Sequence, residues 1–102
     1  MSSVMAVFDF HGDSEQLAAQ YDVAIHKVVA VSSARPVVHL AVPREYGFMV
    51  VDVWSSEDAL RSFEQNEKFR AALRDAGLPE PSLRVYPLHV LGWPVEAMPL
   101  YR

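Results

Sequence analysis

A histidine beside a carboxylate can take up a proton near neutral pH. One pair of this kind is within reach here. His39 lies in the β-rich run Val37–Val42 and Asp52 in the run Phe48–Trp54. The short turn Pro43-Arg44-Glu45-Tyr46-Gly47 joins the two runs into an antiparallel hairpin. Register around that turn pairs His39 roughly with Val50 and sets Val37 opposite Asp52. His39, Asp52 and Trp54 then share one face of the sheet. His39 is read either as a catalytic base or as a histidine hydrogen-bonded within the sheet or a subunit interface.

His89 is the second catalytic candidate. It lies near the end of Leu83–Leu91, a run expected to form a strand. Its neighbours in alternation are apolar, so its imidazole is either satisfied by a partner or used. His26 falls on the solvent side of a helix, and His11 closes a strand. Asp9 and Asp52 are expected on neighbouring parallel strands, on one side of the sheet. There they form either a proton-sharing pair or ion pairs with Arg84 or Arg35. Asn66 falls between Phe63 and Phe69. It either turns inward as a ligand-binding amide or breaks a helix and caps the second half. The chain has no cysteine, no His-x-x-x-His spacing, no carboxylate-rich loop and no glycine-rich phosphate cradle. No cofactor is therefore expected.

These residues need elements to hold them. Val4–Phe10 reads as a strand that stops at His11-Gly12. Asp13 or Ser14 caps a helix with Leu17, Tyr21, Ala24, Ile25 and Val28 on one face, ending before Pro36. The hairpin follows. Ser55 or Ser56 then caps a second helix carrying Ala59, Phe63, Phe69, Leu73 and Ala76, with Gly77 as its stop. Leu83–Leu91 is the last strand, and Pro87 marks it as a sheet edge or a bulge. Strand, helix, strand, strand, helix, strand is the ferredoxin-like βαββαβ order, an α+β fold with a four-stranded antiparallel sheet. Within it the first and third strands are expected side by side and parallel at the centre.

The length of 102 residues suits one domain. Residues 1–91 are read as that domain and 92–102 as an extended tail. The chain is 51% hydrophobic and 22% charged, with a net charge of −4. No basic stripe suggests nucleic acid, and no apolar run approaches the roughly 20 residues that span a bilayer. A soluble cytoplasmic protein is expected. Both faces of the strands are largely apolar, and helices cover only one, so a homodimer packed sheet to sheet is expected. A charge at Val50, read as lying opposite the helix-packing set, should disrupt the dimer or the fold. The tail, with Trp93 as anchor, is expected to cross the partner subunit.

The stretch Gly47-Phe48-Met49-Val50-Val51-Asp52-Val53-Trp54-Ser55-Ser56-Glu57-Asp58-Ala59 ends a strand on Trp and opens a helix on Ser-Glu-Asp. It resembles the third strand and second helix of the antibiotic biosynthesis monooxygenase-like (ABM-like) dimeric α/β-barrel family. The segments Phe69-Arg70-Ala71-Ala72-Leu73 and Val85-Tyr86-Pro87-Leu88-His89 resemble the parts that follow. The resemblance implies a homodimer with its helices outside a barrel of two sheets, and a ligand between the sheet and helices of each protomer. Some members oxygenate aromatic polyketides without metal or flavin. Others degrade haem with a histidine on the second helix and an asparagine on the first strand. Here Glu57–Ala76 has no histidine and Val4–Phe10 no asparagine, which counts against haem. On this footing the expected ligand is a small apolar or aromatic molecule. Phe8, Phe10, Tyr21, Phe63 and Phe69 would wall its pocket, with Trp54 and Asn66 also against it. His39 or His89 would be the base. The alternative is a dimeric ligand-binding or accessory module without catalysis.

Overall fold

The structure is a computed structural model and describes residues 2–91. The expected tail, 92–102, lies outside the described residues. Strand β1 is Val4–His11, helix α1 Ser14–Val31, strand β2 Val38–Arg44 and strand β3 Gly47–Trp54. Helices α2, Glu57–Glu64, and α3, Glu67–Asp75, precede strand β4, Ser82–Pro87. The four strands form one open sheet in the order β2-β3-β1-β4, and every neighbouring pair is antiparallel.

The central pair β1 and β3 is therefore antiparallel, against the expectation of a parallel one. The reason is topological. The α1 crossover makes β2 parallel to β1, the hairpin reverses the chain, and β3 then inserts between them.

Register decides which faces meet. Phe8 pairs with Val50 and Ala6 with Asp52, so Val4, Ala6, Phe8 and Phe10 share a face with Phe48, Val50, Asp52 and Trp54. This is the face the helices cover. Its apolar residues form the buried core with Leu17, Ala24, Leu60 and Leu78. Val50 thus packs under the helices, contrary to its expected place. Asp9 pairs with Met49 and Asp52 with Ala6, so the two carboxylates lie on opposite faces and cannot share a proton.

Asp9 lies on the open face. There it accepts two hydrogen bonds from Arg44 Nη1, at 3.0 and 2.9 Å, and Arg84 Nη2 stands 3.8 Å away. Arg84 was among the expected partners; Arg44 arrives because the tight two-residue turn Glu45-Tyr46 carries β2 on to Arg44. Around this cluster the face is apolar, with Val7, Met49, Val51, Val53, Val42 and Leu40.

The helices start and stop where their ends are chemically satisfied. Asp13 caps α1 by accepting from Gln16 N. Ser56 caps α2 by accepting from Ala59 N. The second helical segment is two helices, the break that is one of the two readings of Asn66: Gln65 ends α2 and Asn66 caps α3. Phe63 and Phe69 are six residues apart, out of phase for one continuous helix; the break brings their rings to 4.4 Å. Gly77, at φ +82°, ends α3 in a left-handed turn. Gly77 N donates to Arg74 O and Leu78 N to Leu73 O, a Schellman motif that drops Leu78 into the core.

Strand β4 is shorter than expected. It pairs only with β1 and ends at Pro87, which has no N–H for the ladder. Leu88 N makes one further bond, to Ser3 O, and the chain then bends away.

Candidate functional site

Between the sheet and α1, α2 and α3 lies a cavity of about 310 Å³. Phe8, Phe10, Tyr21, Phe63 and Phe69 line it, as do Val28, Val50, Leu73 and Leu78. Its aromatic walls support one another. The rings of Phe8 and Phe69 meet edge-on at 6.3 Å, and Tyr21 tilts against Phe48 at 5.2 Å. A ligand filling this volume would be small, flat and mostly apolar.

The polar residues on the wall are His39, Asp52, Arg35 and the hydroxyl-bearing Tyr21. His39 sits directly opposite Asp52 in the hairpin, two positions from the expected pairing. The tight turn at Glu45-Tyr46 accounts for the shift. A slip of two keeps the side-chain parity, so the expected shared face survives. His39 Nδ1 lies 2.6 Å from Asp52 Oδ1. His39 Nε2 lies 2.5 Å from Tyr21 Oη, and the two rings stack within 14° of parallel. Three elements thus deliver one chain of hydrogen bonds: Asp52 from β3, His39 from β2 and Tyr21 from α1.

Its electrostatics follow from burial and sequence of contacts. The Asp52 carboxylate is buried, at 5% side-chain exposure, while the imidazole is 32% exposed at the sheet edge. The hydrogen bond that His39 donates to Asp52 raises the His39 pKa above its ordinary value; burial opposes this and the carboxylate's charge adds to it. Burial raises the Tyr21 pKa, with the charges of Asp52 and Asp22 adding to the rise. Carboxylates accept only, so Nδ1 carries a proton and donates to Asp52. In the neutral imidazole Nε2 then accepts from the Tyr21 hydroxyl.

Arg35 is held by the end of α1, donating to Ser32 O at 2.5 Å and to Ala34 O at 2.8 Å. Among the described residues no three His, Asp or Glu side chains gather to hold a metal ion.

The other sequence candidates lie elsewhere. His89 is exposed in the bend after β4 and does not line the cavity. The cause is the early end of β4 at Pro87. Asn66 is exposed, and its Oδ1 accepts from Lys68 N at 2.8 Å, the capping alternative of its two readings. Trp54 is buried at 2% exposure and packs on Phe63 at 4.8 Å. It borders a neighbouring, more polar hollow with Ser55, Ser62 and Asn66, not the apolar cavity. Its Nε1–H meets no acceptor among the described residues. His26 Nδ1 donates to Asp22 O within its own helix turn. The sequence did not single out the partnership of Tyr21 with His39. Tyr21 was visible as an apolar-face residue of α1, but no local signal sets α1 over β2.

Comparison with known proteins agrees with this architecture. No family model matches the chain, and no curated protein matches it in sequence. Solved structures do. A protein of Chloroflexus aurantiacus J-10-fl, provisionally an antibiotic biosynthesis monooxygenase, superposes with a TM-score of 0.64 at 9% identity. It covers 92% of this chain and 99% of its own. SnoaB, a cofactor-independent oxygenase from Streptomyces nogalater, gives 0.62 at 15% identity, over 89% of this chain and 97% of its own. A dimeric ferredoxin-like protein of unknown function from Thermobifida fusca YX gives 0.62 at 18% identity, over 85% and 92%. The chain therefore has the ferredoxin-like fold of the antibiotic biosynthesis monooxygenase proteins. Likeness at such identities concerns the fold, and chemistry must be argued from the site.

Proposed function

We propose that the protein binds a small aromatic or polyketide-like molecule in the cavity between sheet and helices, and oxidises it without a cofactor. The observation that carries this reading is the Asp52–His39–Tyr21 chain set in an otherwise apolar, aromatic-walled cavity. A protein without a redox group can oxygenate only a substrate that supplies the electrons, and such a substrate must first lose a proton. For an anthrone-type ligand, deprotonation gives an electron-rich anion. It passes electrons to dioxygen; one oxygen atom becomes the new carbonyl and the other leaves as water. The fold shared with SnoaB supports this choice over other proton-transfer chemistry.

The working unit in this reading is a homodimer. Its support is the apolar sheet face away from the helices, where Leu40 is exposed and Val51 is half-buried, and the dimeric state of the Thermobifida neighbour.

The second reading is a dimeric binding module without turnover. One observation favours it: the raised His39 pKa leaves more imidazolium near neutrality, and an imidazolium recognises an anion rather than removing a proton. Aerobic and anaerobic incubation with a panel of hydroquinones and anthrones separates the two. The oxygenase reading expects an oxygen-dependent product that His39→Ala loses and His89→Ala keeps. Tight binding with no product from any member leaves the binding module.

A further inference from the structure

The imidazole of His39 has two nitrogens, and both are engaged: Nδ1 with Asp52 Oδ1 and Nε2 with Tyr21 Oη. No ring atom is left that could take a proton directly from a ligand. A hydroxyl differs, because after donating its proton it keeps lone pairs. Tyr21 Oη is therefore the place where this hydrogen-bond chain can continue into the cavity that Tyr21 helps to line. We infer that Tyr21 is the residue that meets the ligand, and that His39 and Asp52 act through it as a proton relay for a phenol or enol ligand. This rests on the proposed function for the cavity as a binding site, and goes beyond it in naming the group that exchanges the proton.

The step balances without any redox partner. The ligand O–H bond breaks and its proton joins Tyr21 Oη. The Oη–H proton moves to His39 Nε2. The Nδ1–H bond to Asp52 stays in place. The products are a ligand oxyanion and an imidazolium, the latter paired with the Asp52 carboxylate. Tyr21 ends as it began, a neutral hydroxyl, but now donating to the ligand oxygen instead of to His39. The tyrosine never has to exist as a free phenolate, so a pKa raised by burial is no obstacle. Asp52 is a positioning residue in this scheme: it fixes the Nδ1–H tautomer and the ring angle.

Charged groups near the relay come from β3, α1 and the segment before β2. Asp52 faces it from β3, Asp22 bears on Tyr21 from α1, and Arg35 joins the cavity wall from the segment before β2. Phe63 and Phe69, from α2 and α3, bring no charge to the cavity wall.

The test uses 1-naphthol, a two-ring phenol that ionises well on the alkaline side of an imidazole and whose anion absorbs at longer wavelength than the neutral molecule. Binding is followed by calorimetry, and ionisation of the bound molecule by absorbance against pH. In the wild-type protein the bound naphthol should ionise about one pH unit below the free compound. Tyr21→Phe should bind it within about threefold, because only a hydroxyl is lost, yet abolish that shift. Asp52→Asn should shrink the shift. Thermal melts confirm that each variant is folded. A Tyr21→Phe protein that binds the naphthol and still ionises it as the wild type does overturns the inference, since the proton then goes elsewhere. Wild-type binding with no ionisation shift overturns the relay but leaves the cavity a binding site. A wild-type protein that binds no naphthol overturns the proposed function itself.

Discussion

At the scale of single residues, the contact between His39 and Asp52 ties stability to pH. The folded His39 pKa lies above its ordinary value because Asp52 accepts from it. A raised pKa means that the folded state holds the proton more tightly than the unfolded chain does. The stabilisation is complete below the unfolded value and is lost as pH rises through the folded one. Asp52→Asn should therefore lower the melting temperature more at about pH 5.5 than at about pH 9. His39→Ala should cost more, about 2 kcal/mol, because it strands a buried carboxylate; a deeper pair would cost more still, since here the imidazole is part-exposed. Asn66→Ala should cost about 1 kcal/mol as a lost helix cap, without changing ligand affinity. Denaturant titration checks both figures. The candidate site was legible in the sequence as residue types. His39 and Asp52 could be placed on one face because parity survives a two-residue slip. Tyr21 cannot be joined to them from the sequence, and the apolar alternation that marks out His89 runs past the end of β4 at Pro87.

At the scale of elements, alternation within a strand is easy to read and the match between strands is not. In β3 the sets Phe48, Val50, Asp52, Trp54 and Met49, Val51, Val53 separate by parity alone. Which set meets the helices depends on pairing Phe8 with Val50, a contact between residues far apart in the chain. Asp52 added to the difficulty, since an aspartate on a sheet face suggests exposure. Here it is buried because His39 satisfies it. The two faces can now be told apart by experiment. Val50→Glu places an unpaired charge under the helices and should unfold the protein, as circular dichroism would record. Val51→Glu lies on the open face and should leave the monomer folded while preventing association, as light scattering would record. The reverse pattern would refute the assignment of faces. The element order itself was legible because caps, turns and Gly77 are local signals. The break at Asn66 was one of two weighed outcomes, and the six-residue spacing of Phe63 and Phe69 decides it.

At the scale of the whole molecule, the open face should drive association at micromolar concentration. A scattering mass near that of a single 11.5 kDa chain throughout that range would count against it. The division of the second helical segment has another consequence, for how the cavity fills. Helix α1 runs 18 residues, but α2 has only 8 and α3 only 9. Helices that short hold no structure alone in water and persist only while packed. Phe63 and Phe69 flank their junction and also form part of the cavity wall. The wall on that side is thus built from the least self-sufficient pieces of the fold. It should breathe first, admitting a flat guest by brief local opening while α1 stays in place. Hydrogen exchange would record this as faster loss of amide protection across 57–75 than across 17–28, with the difference closing once a ligand is bound.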